Sequence, residues 1–166
     1  MSELSNLTVR EADADAVAQI AEIDAACLAT QWSTDVLVDR DRVHVLIAEG
    51  EMPRPTSSPE RSLIAGHGIL WHAADQAELV DLAVRPTYRK SGVATALLDR
   101  LIREAWSAGA RAVFLEVRAS NAAAVALYTG RGLRLAGVRP HYYMDPKEDA
   151  LILRLDRDSG DAPVRA

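Results

Sequence analysis

VDLAVRPTYRKSGVATALLDRLIR, residues Val80 to Arg103, changes its hydrophobic period half-way along. Leu79 to Val84 is an apolar run broken only by Asp81, the pattern of a strand. Pro86 disfavours helix at Arg85, so the chain turns there. From Ala94 the apolar residues Ala94, Leu97, Leu98, Leu101, Ile102 and Ala105 recur at helical spacing, with Asp99, Arg100, Arg103 and Glu104 opposite. The order is therefore strand, tight basic turn with one glycine, helix start. A helix start presents unpaired N–H groups and roughly half a unit of positive charge. With Arg89 and Lys90 beside it, the turn Arg89-Lys90-Ser91-Gly92 is suited to hold phosphate. An ordinary connection with a solvated basic pair fits the same residues. The dinucleotide pattern GxGxxG and the P-loop pattern GxxxxGK[ST] are both absent.

The elements around this stretch set the fold class. Leu7 to Arg10 reads as a short strand. Asp13 and Asp15 are helix-start residues before a helix over Ala16 to Leu28, with Val17, Ile20, Ala21, Ile23 and Cys27 on one face. That places Cys27 in the core rather than in a nucleophile's position. Trp32-Ser33 starts a second short helix, Ser33 capping it and Val36 and Leu37 facing inward. Val43 to Glu49 is a strand. Glu51 to Ser62, with three prolines, is a loop joining it to a further strand over Ser62 to His72. Ala77 to Val84 follows, and Gly109 stops the central helix. Ala112 to Arg118, AVFLEVR, is apolar enough to be a buried strand. Ser120 and Asn121 cap an alanine-rich helix that ends near Gly130 and Gly132. Leu133 to Val138 and Ala150 to Asp156 are the last strands, around a polar connection from His141 to Asp149. Strands and helices intermix without strict alternation, which predicts an α/β (α+β) fold with a mixed sheet and helices on both faces.

Composition narrows the class of function. The chain has 166 residues, 49% hydrophobic and 26% charged, enough for one domain with a sizeable core. Residues 1–156 are read as that single domain and 157–166 as a frayed tail. The formal net charge of −5 argues against a nucleic-acid partner and permits a basic polypeptide. Cys27 is the lone cysteine, so no intrachain disulfide forms and a reducing compartment fits. The polar N-terminus lacks the pattern of a signal peptide, and no apolar run reaches membrane-spanning length. A cytoplasmic location is expected. His44, His67, His72 and His141 have no metal-ligand spacing, so no metal is expected and these histidines are read as structural or surface residues. Trp71 and Trp106 read as core or rim.

Glu116 is the oddity of AVFLEVR, because a buried carboxylate is costly unless paired. Strand alternation puts Phe114, Glu116 and Arg118 on one side. Two readings stand: a Glu116–Arg118 ion pair, or a functional carboxylate near a strand's C-terminal end, where open α/β sheets place their sites. Asn121, Val125 and Tyr128 share one helix face. Singly, Asn121 reads as a helix cap and Tyr128 as a core tyrosine.

Arg-x-x-Gly-x-Ala between a strand and a helix resembles the coenzyme A loop of the GNAT acetyltransferases. LEVRASNAAAVALY, Leu115 to Tyr128, resembles the RimI-type ribosomal-protein N-terminal alanine acetyltransferases within that superfamily. The resemblance runs from about Leu79 to Leu155. It takes in Gly132-Leu133, Arg139-Pro-His-Tyr142-Tyr143 and Glu148-Asp149-Ala150, with a weaker echo at Trp32-Ser33. It implies a GNAT fold, mostly antiparallel and splayed where acetyl-CoA enters. It implies acetyl transfer from acetyl-CoA to a protein's N-terminal α-amine, by resemblance the alanine of ribosomal protein eighteen of the small subunit. Carried over position by position, the general base falls on Glu116 and the general acid on Tyr128. Cofactor contacts fall on the backbone of Leu82, Ala83 and Val84, on Lys90, Ser91, Gly92, Val93, Ala94 and Thr95, and on Asn121, with Arg89 adjoining. Tyr142 and Tyr143 help form the peptide groove, and Trp32 borders it. Lys90 stands where the family often has glycine, Leu133 where it usually has phenylalanine, and the loop 51–62 is long. A GNAT enzyme acting on lysine or a small amine, and a non-catalytic acyl-CoA-binding module, are the alternatives.

Overall fold

The computed structural model describes residues 5–27, 42–51 and 63–158. The expected Trp32–Leu37 helix, residues 52–62 of the expected Glu51–Ser62 loop and residues 159–166 lie outside the described residues, while Glu51 itself is the last residue of a strand. Among the described residues, seven strands hydrogen-bond in the order β1-β2-β3-β4-β5-β7-β6. They are β1 (Ser5–Glu11), β2 (Val43–Glu51), β3 (Leu63–Ala73), β4 (Gln76–Val84), β5 (Ala112–Arg118), β6 (Arg134–Met144) and β7 (Lys147–Asp156), with helices α1 (Val17–Cys27), α2 (Val93–Ser107) and α3 (Ala122–Gly130). The strand pairings are antiparallel for β1–β2, β5–β7 and β6–β7, and parallel for β4–β5 over Gln76–Leu79 with Ala112–Leu115. This is the mixed, mostly antiparallel sheet expected from the sequence. The chain divides into two compact units, Met1–Leu70 with Asp81–Ile102, and Trp71–Val80 with Arg103–Ala166.

In the first unit, Asp13 caps the turn before α1 by accepting from the Ala16 N–H at 3.0 Å. Helix α1 buries Ile20, Ile23 and Asp24, while Ala21 is exposed, contrary to expectation. The buried stripe has the spacing i, i+3, i+4, and a carboxylate occupies its third position. On α2, Leu97, Leu98 and Leu101 are at most 1% exposed, each contributing roughly 1.5–3 kcal/mol of burial. Gly66 and Gly68 on β3 let neighbouring elements approach. A Cβ on Gly66 would lie 2.7 Å from the Ala83 carbonyl oxygen, and one on Gly68 2.5 Å from Leu101 Cδ1.

In the second unit, β5 buries Val113, Leu115 and Val117 and leaves Phe114, Glu116 and Arg118 half-buried on the other side. The last two strands are longer than the sequence suggests. Their pairing continues to Met144↔Lys147, so His141 to Asp149 is the end of a hairpin closed at the cis Asp145–Pro146 bond, not a polar connection. Strand β6 is the sheet's edge and most of its residues are exposed, so it needs no apolar pattern to be a strand. Arg157 is not frayed either. Its N–H donates to the Arg111 carbonyl at 2.9 Å and its guanidinium to the Trp106 carbonyl at 2.9 Å.

Candidate active site

The basic turn lies in the first unit. After β4 the chain makes a short 3₁₀ turn, Pro86–Tyr88, and buries Tyr88. Lys90 and Gly92 then take left-handed conformations, φ 63° and 85°, before α2 begins at Val93. Glycine adopts such angles freely, whereas lysine pays for them. That accounts physically for a glycine preference at the Lys90 position. The space where a Gly92 side chain would stand is open for 4 Å. Arg89 is exposed beside it, and the fifteen-residue α2 directs its first N–H groups there. Open space over a left-handed glycine, a long helix's N-terminus and an exposed guanidinium fit a phosphate-bearing cofactor. Cys27 is half-buried, and its thiol donates to the Val84 carbonyl at 3.3 Å.

The carboxylate cluster lies in the second unit. Residues two apart on one strand face stand roughly 7 Å apart. Of the two readings of Glu116, the ion pair with Arg118 does not form; each turns to another strand. Arg139 on β6 holds Glu116 Oε1 at 2.7 Å, and the Tyr142 hydroxyl donates to the same carboxylate. The β6 register shifts between Arg139 and Tyr143, with His141 left-handed at φ 54°. Such a bulge re-aims side chains, here allowing Arg139 and Tyr142 both to reach Glu116. The bond to Glu116 pushes the Tyr142 hydroxyl's pKa above its usual value, followed by the carboxylate's negative charge. Glu78 on β4 is also pushed up, first by loss of solvent and then by Glu116, with Arg139 opposing.

Tyr143 meets Tyr142 edge-on, centroids 5.1 Å apart, and carries the Arg118 guanidinium 4.0 Å above its ring. Arg118 also pairs with Glu148 at 3.4 Å. Glu148 accepts from the Ser120 N–H and hydroxyl, tying the hairpin to the approach of α3. Asn121 caps α3 through the Ala124 N–H at 3.2 Å, as its plainest reading expects. Tyr128 is buried, 8% exposed. Glu116, Tyr142 and Tyr143 are thus drawn together, whereas Trp32 lies outside the described residues. Sequence reasoning missed Arg139 as a partner and Glu78 as a neighbour. His67, read as structural or surface, is structural: it is fully buried beside Asp24 and Asp81.

The acetyltransferase (GNAT) family profile matches residues 18–133. The chain belongs to the GNAT acetyltransferase family. Among its relatives is the ribosomal protein bS18-alanine N-acetyltransferase of Escherichia coli strain K12, 44% identical over 94 residues. That match covers 55% of this GNAT chain and 64% of the relative, so the chain spans less than two thirds of that protein's length. The enzyme of the same name from Haemophilus ducreyi is 31% identical over 137 residues, 81% of this chain and 89% of the relative. The crystal structure of the ribosomal-protein-S18-alanine N-acetyltransferase from Escherichia coli superposes with a TM-score of 0.75 at 30% identity, over 90% of this chain and 93% of that one. Among the described residues, no helix of the GNAT chain is long and apolar enough to cross a membrane.

Proposed function

We propose that this GNAT chain transfers the acetyl group of acetyl-CoA to the N-terminal α-amine of a protein, with the N-terminal alanine of a ribosomal protein as its substrate. The observation that carries the reading is Glu116. It is a carboxylate on the half-buried side of β5, bracketed by Arg139 and Tyr142, inside the segment Leu115–Tyr128 that resembles the alanine acetyltransferases. The similarity to the Haemophilus ducreyi and Escherichia coli enzymes supports it. The profile's span takes in segments of both compact units, which supports reading residues 1–156 as one catalytic domain. A cytoplasmic setting accords with a ribosomal substrate.

The bound cofactor would supply an activated thioester, its pyrophosphate held by Arg89, the N–H groups from Lys90 to Thr95 and the α2 N-terminus, with the Leu82–Val84 backbone and Asn121 as further contacts. Glu116 accepts the proton of the incoming ammonium. An α-amine, with a pKa of about 8, is roughly a tenth free at pH 7, whereas a lysine at about 10.4 is less than a thousandth free. The base therefore has a small task with an N-terminus. Tyr128 donates its hydroxyl proton to the departing sulfur. Tyr142 and Tyr143 border the peptide and hold its first residues by Glu116. Cys27 needs no role, because the amine attacks directly.

The test offers a peptide beginning with Ala and rich in arginine, together with the same peptide N-terminally blocked and carrying free lysines. Tandem mass spectrometry locates the acetyl group. One acetyl on the α-amine is expected. Equal labelling of the blocked peptide refutes the N-terminal reading in favour of a lysine or small-amine substrate. Cofactor binding without transfer to any amine refutes catalysis.

A further inference from the structure

Asp24 on α1, His67 on β3 and Asp81 on β4 converge inside the first unit. Asp24 and His67 are 1% and 0% exposed, and the Asp81 side chain is 13% exposed. His67 Nε2 lies 3.2 Å from Asp24 Oδ1 and 3.5 Å from Asp81 Oδ2. One ligand atom from each residue fits within 4.8 Å of the other two. Neither Asp24 Oδ1 nor either ring nitrogen of His67 makes a hydrogen bond of good geometry, although these atoms are fully buried. Buried polar atoms of this kind are ordinarily satisfied. Here Asp24 Oδ1 and His67 Nε2 stand 3.2 Å apart without such a bond, and an Asp81 oxygen lies 3.5 Å from the same nitrogen.

We infer that Asp24, His67 and Asp81 form a structural binding site for a divalent transition-metal ion, zinc the best match, that braces α1 against β3 and β4. The spacing is that of ligands around a small ion. Zinc–nitrogen and zinc–oxygen bonds are about 2.0–2.1 Å, and the edge of a tetrahedron with such bonds is about 3.3–3.4 Å. The two measured separations, 3.2 and 3.5 Å, straddle that edge. Charge points the same way. Two carboxylates and a neutral imidazole carry −2, which a divalent cation cancels, whereas a proton on His67 leaves −1 in a buried place. An imidazole donor selects zinc, cobalt or nickel over magnesium or calcium. The residual exposure of Asp81 gives the ion its path and a place for a water as fourth ligand. The competing occupant is a proton. Burial lowers the His67 pKa, but Asp24 and Asp81 more than reverse this and raise it to about 9. Metal binding therefore displaces a proton from the ring. The ion holds the fold and takes no part in the transfer.

The test uses the full chain, stripped with a chelator and titrated with Co²⁺, whose tetrahedral sites show intense visible bands. One Co²⁺ per chain is expected, with bands that Zn²⁺ abolishes. X-ray absorption should give nitrogen and oxygen ligands without sulfur, which excludes Cys27. Zn²⁺ should also raise the melting temperature, and Mg²⁺ should not. Asp81→Asn and His67→Gln, checked for native circular dichroism, should lose the bands; if both fail to fold, the wild-type stoichiometry and ligand set decide. A folded wild-type chain without bands or retained metal overturns the inference and leaves the proton as occupant. Sulfur ligation, or equal binding by the folded variants, also overturns it.

Discussion

Gly66→Ala isolates how rigidly β3 is pressed against β4. The new Cβ would stand 2.7 Å from the Ala83 carbonyl oxygen, whereas side-chain carbons essentially never come within 3.0 Å. One strand must therefore move by at least roughly 0.3 Å, the difference between those two distances. The obstacle is backbone and cannot rotate away; Val93 Cγ1 at 3.1 Å and Val84 Cγ2 at 3.2 Å close the other exits. Overpacking of this kind costs about 1–3 kcal/mol. In a chain of 166 residues each kcal/mol is worth about 2–4 °C, so a cost near 2 kcal/mol lowers Tm by about 4–8 °C. Gly68→Ala is the internal control. Its nearest obstacles are side-chain ends, Leu101 Cδ1 at 2.5 Å and Leu82 Cδ1 at 3.2 Å, which can turn aside at a cost of about 1 kcal/mol. Thermal melts followed by circular dichroism give the order. Because Ala83 belongs to the proposed cofactor contacts, calorimetry should also show weaker acetyl-CoA binding in Gly66→Ala. A Gly66→Ala melt within a degree of wild type, or a larger loss in Gly68→Ala, would refute the reasoning that backbone contact sets the cost.

Lys90→Gly should stabilise the chain by about 0.5–1 kcal/mol, since it releases a lysine from a left-handed angle; urea titration checks the sign, and a loss of stability would count against that strain. Gly92→Asp should cut acetyl-CoA affinity at least tenfold by filling the open space over the turn with like charge, and unchanged affinity in calorimetry would remove the turn from the cofactor site. Glu116→Gln should lower turnover by about 100-fold at pH 7 while keeping the side chain's shape. That loss should shrink as pH rises past the amine's own pKa of about 8, where the substrate deprotonates unaided, and a loss constant with pH would mean Glu116 acts by position instead.

The strand–turn–helix at Val80–Arg103, the buried strand Ala112–Arg118 and the caps at Asp13 and Asn121 were legible in the chain alone. Each depends on periods and spacings within one element, and these dictate backbone conformation directly. The side on which Glu116 stands was legible for the same reason. Its partner was not. Arg118 is nearer in sequence, but only the β5–β7 and β6–β7 registers, with the bulge before Tyr143, bring Arg139 and Tyr142 to the carboxylate. The sequence marks β6 only as far as Val138, because an exposed edge strand carries no hydrophobic alternation to mark its end. Asp24, His67 and Asp81 show the limit most plainly. They sit on a helix and on two consecutive strands, and nothing in local spacing marks a buried charge whose compensation comes from other elements. Periodicity says which way a side chain points from its own backbone; what it meets there is decided when the elements pack.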